Sequence, residues 1–155
     1  NTSDTSDKER LIRAIEIADF QKMHTEMVEQ LPKFTSINFG ISFDRQIIRA
    51  RITARLEARL KEGLVEEVKS LLEKGIKPED LIYYGLEYKF VTQFVTGQLS
   101  YDGMFTKLNT AIHQFAKRQM TWFRRMEKNG VKIHWIDGSI ELNDKLAVIL
   151  SKINQ

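Results

Sequence analysis

Apolar positions along the chain follow two periods, one helical and one alternating. Leu11, Ile12, Ile15 and Ile17 recur at roughly helical spacing behind Ser6-Asp7-Lys8-Glu9, a capping-box pattern. A helix is therefore expected from about Asp7 to His24, with residues 1–6 as a disordered lead-in. A loop around Pro32 leads to Ser36–Ser42, where Ile37, Phe39 and Ile41 alternate as in a short strand. Asp44 is placed to cap a long helix with Ile47, Ile48, Ile52, Leu56 and Leu60 on one face and Gly63 at its end. The next helix runs to Lys74 and stops at Gly75, and Pro78 opens the following turn. Aromatic residues crowd Tyr83 to Phe94, and Gly97 breaks the pattern. Ser100 then caps the longest helix, about Tyr101 to Lys128, which Asn129-Gly130 terminates. Val131–Asp137 reads as a second strand and Asn143–Asn154 as a last helix.

This layout is α/β but mostly helical, and it poses a problem. Two short apolar strands lie some ninety residues apart. Lone strands with open edges invite aggregation, so they are expected to pair with strands outside this sequence. The first residue is Asn1 rather than methionine, consistent with a piece of a larger α/β protein. The competing arrangement is a nearly all-helical domain with one two-stranded parallel pair.

Composition narrows the chemistry. A chain of 155 residues with 42% hydrophobic and 29% charged residues has enough material for one folded domain. No run approaches the roughly 20 apolar residues of a membrane span. The absence of cysteine removes disulfides, thiolate nucleophiles and cysteine-ligated zinc. His24, His113 and His134 lie far apart, so no histidine-rich metal site is expected. The polar, acidic N-terminal stretch is unlike a signal peptide and favours the cytoplasm.

Net charge is only +3, but it is unevenly placed. Between Gly103 and Ile136 stand seven Lys or Arg against one acid, Glu127, so this segment carries +6 and the rest −3. A second basic block holds Arg45, Arg49, Arg51, Arg55, Arg59 and Lys61 against Glu57. Two cationic blocks suit a polyanion surface, or they are simply solvated helix faces. In Phe115–Arg125, helical spacing puts Lys117, Thr121 and Arg124 on one face with Arg118 and Arg125 beside it. Phe115, Gln119, Trp122 and Met126 form a neighbouring stripe, with Met120 and Phe123 expected in the core. Cations at this spacing match successive phosphates, and an aromatic plane can stack on an unpaired base. A buried Trp on a half-solvated helix would give the same pattern.

Ala116-Lys117-Arg118-Gln119-Met120-Thr121-Trp122 resembles the C-terminal signature of the tRNA dimethylallyltransferases, also called tRNA isopentenyltransferases. Arg10-Leu11-Ile12-Arg13-Ala14-Ile15-Glu16-Ile17 resembles a helix of that family, and Arg51-Ile52-x-x-Arg55 and Gly63-Leu64-x-x-Glu67-Val68 follow in order. Gly97-x-x-Ser100-Tyr101-Asp102 and His134-Trp135-Ile136-Asp137 complete the series from about Asp7 to Asp137. The sequence departs from the family at Glu87, which replaces a glycine before Tyr88-Lys89, and at Ile112-His113, which replaces Thr-Arg. No G-x-x-x-x-G-K-[ST] phosphate loop is present.

The resemblance implies the C-terminal part of a P-loop NTPase-like core over residues 7–155, its sheet completed by the N-terminal half. It implies transfer of a dimethylallyl group from dimethylallyl diphosphate to N6 of the adenosine 3′ of a tRNA anticodon, with Mg2+ as cofactor. The catalytic base and most magnesium ligands would lie in the N-terminal half, leaving this part inactive alone and chiefly holding the anticodon stem-loop. The tRNA-binding positions implied are Tyr84, Gly85, Leu86, Glu87, Tyr88 and Lys89, then Lys117, Arg118, Gln119, Met120, Thr121, Trp122, Phe123 and Arg124. Within them Lys89, Lys117, Arg118 and Arg124 suit phosphates, and Tyr84 or Tyr88 suits stacking. Gln119 either reads a base edge or is buried against backbone. Glu87 faces a base edge or a neighbouring Lys. Arg51 and Arg55, four apart on a helix, either reach the diphosphate or pair with Glu57 or another acid. The protein is expected to be a cytoplasmic monomer without a membrane segment. A non-catalytic helical RNA-binding module and a fragment of another phosphate-loop kinase remain as alternatives.

Overall fold

The computed structural model describes residues 7–23 and 35–153. It comprises two units, 1–36 and 37–155. The lead-in 1–6, His24 and the loop at Pro32 lie outside the described residues.

In the first unit, α1 spans Lys8–Met23. Its cap is Asp7, whose carboxylate accepts from the N–H groups of Glu9 (3.1 Å) and Arg10 (3.4 Å). Arg13 and Glu16 pair at 3.0 Å one turn apart. No residue of α1 is buried.

The second unit runs β1 (Asn38–Ser42), α2 (Arg45–Lys61), α3 (Leu64–Glu73), α4 (Pro78–Tyr83), α5 (Leu86–Val95), α6 (Tyr101–Lys128), β2 (Ile133–Asp137) and α7 (Leu142–Ile153). Asp44 caps α2 by accepting from the Gln46 N–H at 2.7 Å, and Ser100 caps α6 by accepting from the Gly103 N–H at 3.1 Å. The core joins α2 to α6: Leu56, Leu64, Val65, Val68, Leu81, Val91, Met104 and Leu108 are buried together. Each such side chain contributes about 1.5–3 kcal/mol through removal from water.

The two strands pair with each other. They run parallel, from Asn38 opposite Ile133 to Ser42 opposite Asp137, and α2–α6 supply the long crossover a parallel pair requires. Beyond this pair the strands have no further partner among the described residues. Gly40 lies opposite Trp135, and a Cβ there would stand 2.6 Å from the indole ring. Only hydrogen fits at that approach.

One element departs from the sequence pattern. The aromatic stretch after Tyr83 contains α5, although Tyr88, Phe90, Val91, Thr92, Phe94 and Val95 are indifferent helix formers. Burial of Val91 and Thr92 against α3 and α6 overrides that local preference. Gly85 sits between α4 and α5 with φ +145°, a conformation that side-chain-bearing residues rarely adopt. Among the described residues, no helix is long and apolar enough to cross a membrane.

Candidate nucleic-acid interface

The two halves of α6 have different surroundings. Met104 and Leu108 are fully buried, whereas beyond Ile112 no side chain of the helix is. Ile112 packs against the core and His113 faces α2, with its Nε2 3.4 Å from the Thr53 hydroxyl. That hydroxyl also donates to Asn109 Oδ1 at 3.2 Å. The departure at Ile112-His113 therefore lies at a helix–helix contact.

Further along, Lys117, Arg118, Arg124 and Arg125 are exposed, and among the described residues none pairs with a carboxylate. The Arg118 guanidinium stands 5.9 Å from the centre of the Phe115 ring. Trp122 is 62% exposed, so its ring is available for stacking rather than packed inside. Gln119 is also exposed, which removes the buried alternative for its amide. Thr121 directs its hydroxyl back to the Lys117 carbonyl at 3.1 Å.

Met120 and Phe123 are half-buried rather than core residues. Phe123 meets Trp135 of β2 edge-on, ring centres 5.7 Å apart. The Trp135 indole N–H donates to Glu127 at 2.8 Å. Residues on both sides of Arg124 are thereby tied to β2, while Arg124 itself faces water.

The second segment divides as sharply. Tyr84 is 75% exposed, and Gly85 and Lys89 are exposed. The Lys89 ammonium lies 5.6 Å from the Phe90 ring centre. Leu86 packs on the core, and Glu87 is half-buried without an ion pair among the described residues. Tyr88 also packs on the core, and its hydroxyl donates to Glu67 at 2.6 Å. Tyr84 and Tyr88 line an open groove of about 570 Å³ with Leu71, Ile76, Asp80 and Leu81. Of the two tyrosines, Tyr84 has the freer ring.

Sequence reasoning assigned no role to Glu67, although Gly63-Leu64-x-x-Glu67 stands out as a motif. Its second carboxylate oxygen accepts from Arg59 at 2.5 Å. The Tyr88 hydrogen bond and then the Arg59 charge hold the Glu67 carboxyl below its ordinary value, against the opposing effect of burial. The same bond, with burial, raises the Tyr88 phenol. Asp137 is likewise lowered, by the backbone and side-chain hydrogen bonds it accepts from Ser139.

Arg51 and Arg55 lie on α2. Neither pairs with Glu57 or another acid among the described residues; Arg51 stands over Phe43, 4.5 Å from the ring centre. No group of three or more His, Asp or Glu that could hold a metal ion occurs among the described residues. The described residues thus hold no such cluster for the implied Mg2+, and no residue role given below is routed through one.

Comparison with known proteins gives a consistent result. Residues 1–126 match the family model described as IPP transferase. The chain is 53% identical over 150 residues, 97% of its length, to tRNA dimethylallyltransferase 2 of Porphyromonas gingivalis, covering 50% of that protein. It is 48% identical over 155 residues to tRNA dimethylallyltransferase 2 of Bacteroides fragilis, covering all of this chain and 51% of the relative. Among solved structures, the tRNA isopentenylpyrophosphate transferase of Bacillus halodurans matches 94% of this chain with TM-score 0.69 and 25% identity, over 44% of that chain. The Staphylococcus epidermidis tRNA delta(2)-isopentenylpyrophosphate transferase matches 95% with TM-score 0.66 and 27% identity, over 48% of its length. The chain thus spans about half the length of the relatives it matches. From the ordered motifs, the fold and these similarities together, the chain belongs to the IPP transferase family.

Proposed function

We propose that this chain is the tRNA-holding part of a tRNA dimethylallyltransferase. The observation that carries the proposal is the outer face of α6, where Lys117, Arg118, Arg124 and Arg125 stand beside an exposed Trp122 with no acid paired to them among the described residues. A solvated helix usually intersperses acids with its cations. An unneutralised cationic face with an open aromatic ring suits a single-stranded or looped RNA, with charges on phosphates and the ring on a base.

In the whole protein, the adenosine N6 attacks the first carbon of dimethylallyl diphosphate. The C–N bond forms as the C–O bond to diphosphate breaks, and a general base outside this chain takes the N6 proton. The adenine must leave its stack, at a cost of a few kcal/mol, so the flanking nucleotides have to be held. Lys89, Lys117, Arg118 and Arg124 take phosphates, Tyr84 and Trp122 offer stacking planes, and Gln119 offers both a donor and an acceptor to a base edge. Arg51, pre-set on Phe43, and Arg55 are the chain's candidates for the diphosphate. The strand pair joins a wider parallel sheet in the longer protein, which acts as a cytoplasmic monomer.

A paired transfer assay tests the proposal. An anticodon stem-loop, dimethylallyl diphosphate and magnesium are incubated with these 155 residues or with the gene's full-length product, and mass spectrometry reads one added prenyl group. Prenylation by the long form alone is expected. Prenylation by neither, with salt-sensitive RNA binding retained, would replace the enzyme by a non-catalytic RNA-binding module.

A further inference from the structure

We propose that Glu67 is a positioning residue for the RNA-holding segment. Its carboxylate, held between Arg59 and Tyr88, fixes the first turn of α5 so that Lys89 is presented to RNA beside Tyr84 at the end of α4. This rests on the RNA role proposed above.

Local sequence leaves the direction of α5 open. The short helix α4 has six residues, and the chain leaves it through Gly85 at φ +145° and ψ −178°. No side chain caps α5, so neither the link nor a cap sets the direction in which α5 departs. Leu86 and the Tyr88 ring pack on the core and Val91 and Thr92 are buried beyond them, but apolar packing of this kind is non-directional. Tyr88 is the first-turn side chain with a directional bond, and that bond goes to Glu67 Oε1 at 2.6 Å. The other oxygen accepts from Arg59 at 2.5 Å. One carboxylate therefore links α2, α3 and α5, and the exposed positions Tyr84 and Lys89 flank the residue it holds.

An ordinary surface ion pair would explain the Arg59 contact alone, and such pairs contribute little. It does not explain the second bond. A phenol bonded to a carboxylate is short, directional and stronger than a neutral pair. Tyr88 also packs its ring on the core, so the hydroxyl sits at the end of a rigid arm rather than a loose one.

The test uses the full-length gene product and an anticodon stem-loop. Glu67→Gln keeps the shape and an acceptor but loses the charge; Glu67→Ala loses both; Tyr88→Phe loses only the hydroxyl. Three quantities are read: the stem-loop Kd at two salt concentrations, the split of prenyl transfer into KM and kcat, and the thermal midpoint. Glu67→Ala is expected to raise Kd and KM for RNA about tenfold, the scale of one charge-assisted hydrogen bond. Glu67→Gln should recover part of that loss, kcat should hold in both, and Tyr88→Phe should raise Kd in the same direction.

Unchanged Kd and KM in Glu67→Ala and Tyr88→Phe would overturn the proposal. So would an affinity loss that merely tracks the fall in thermal midpoint across the three variants. The two readings fail separately. If wild type binds RNA and Lys117→Ala with Arg118→Ala weakens it, while the Glu67 variants bind as wild type, only the positioning role falls. If wild type shows no salt-sensitive binding, both fall.

Discussion

The first and second halves of α6 share one unbroken helix yet do opposite work. In the first, Met104 and Leu108 are fully buried in one core cluster with Leu56, Leu64, Val68 and Val91. In the second, Phe115 is 49% and Trp122 62% exposed, and four cations face water without acids among the described residues. A half-helix that buries little contributes little to stability, so its side chains are free to serve another purpose. The same continuity makes the second half as stiff as the first.

The strongest way to break this contrast is in the core. Leu108→Ala should cost about 2–5 kcal/mol by removing buried methyls and leaving a cavity. Denaturant unfolding reads the loss, and the fraction that remains folded should bind RNA normally. On the opposite half, replacing Lys117, Arg118 and Arg124 together by Ala should change unfolding by less than about 0.5 kcal/mol. It should flatten the salt slope of stem-loop binding by about 2, at roughly 0.7 for each single-strand phosphate that is no longer neutralised. A full slope in that variant would mean the helix does not touch phosphate.

Acidity sharpens the comparison, because an apolar core does not titrate. Glu67 has a folded pKa below its ordinary 4.5, so its stabilisation is complete above that value and is lost as pH falls through the lower folded one. Tyr88 has a folded pKa above its ordinary 10.0, so its stabilisation is complete below 10.0 and is lost as pH rises through the higher folded one. Glu67→Gln should remove the acid dependence and weaken the alkaline one, because burial still raises the Tyr88 phenol, and a profile identical to wild type would contradict the pairing. The smallest effect belongs to Thr92, whose buried hydroxyl has no hydrogen-bond partner. Thr92→Val keeps the shape and should leave stability unchanged or raise it by up to about 1 kcal/mol.

Where the sequence carried strong local signals, the fold was legible. Asp44, Ser100, Gly75 and Pro78 mark ends that the structure reproduces closely. The α5 helix was not legible, because its residues prefer other states in isolation and only tertiary burial makes them helical. Strand pairing was also obscured: alternation identifies a strand but not its neighbour, and the fit of Trp135 over Gly40 exists only after folding. The cationic face of α6 was visible from spacing. The Glu67 link was not, since Arg59, Glu67 and Tyr88 come from three helices with no shared periodicity.

The contact between Phe123 and Trp135 has a mechanical consequence. From Leu108 to Arg124 the helix extends about 24 Å at 1.5 Å per residue. Held only at its buried end, such a rod is a lever: a tilt of about 5° would carry the Arg124 end sideways by roughly 2 Å, enough to spoil a hydrogen bond to phosphate. The edge-on ring contact and the Glu127 hydrogen bond to Trp135 brace its far end. The strand pair is thus a second bearing for the helix, and it converts a stiff rod into a ruler.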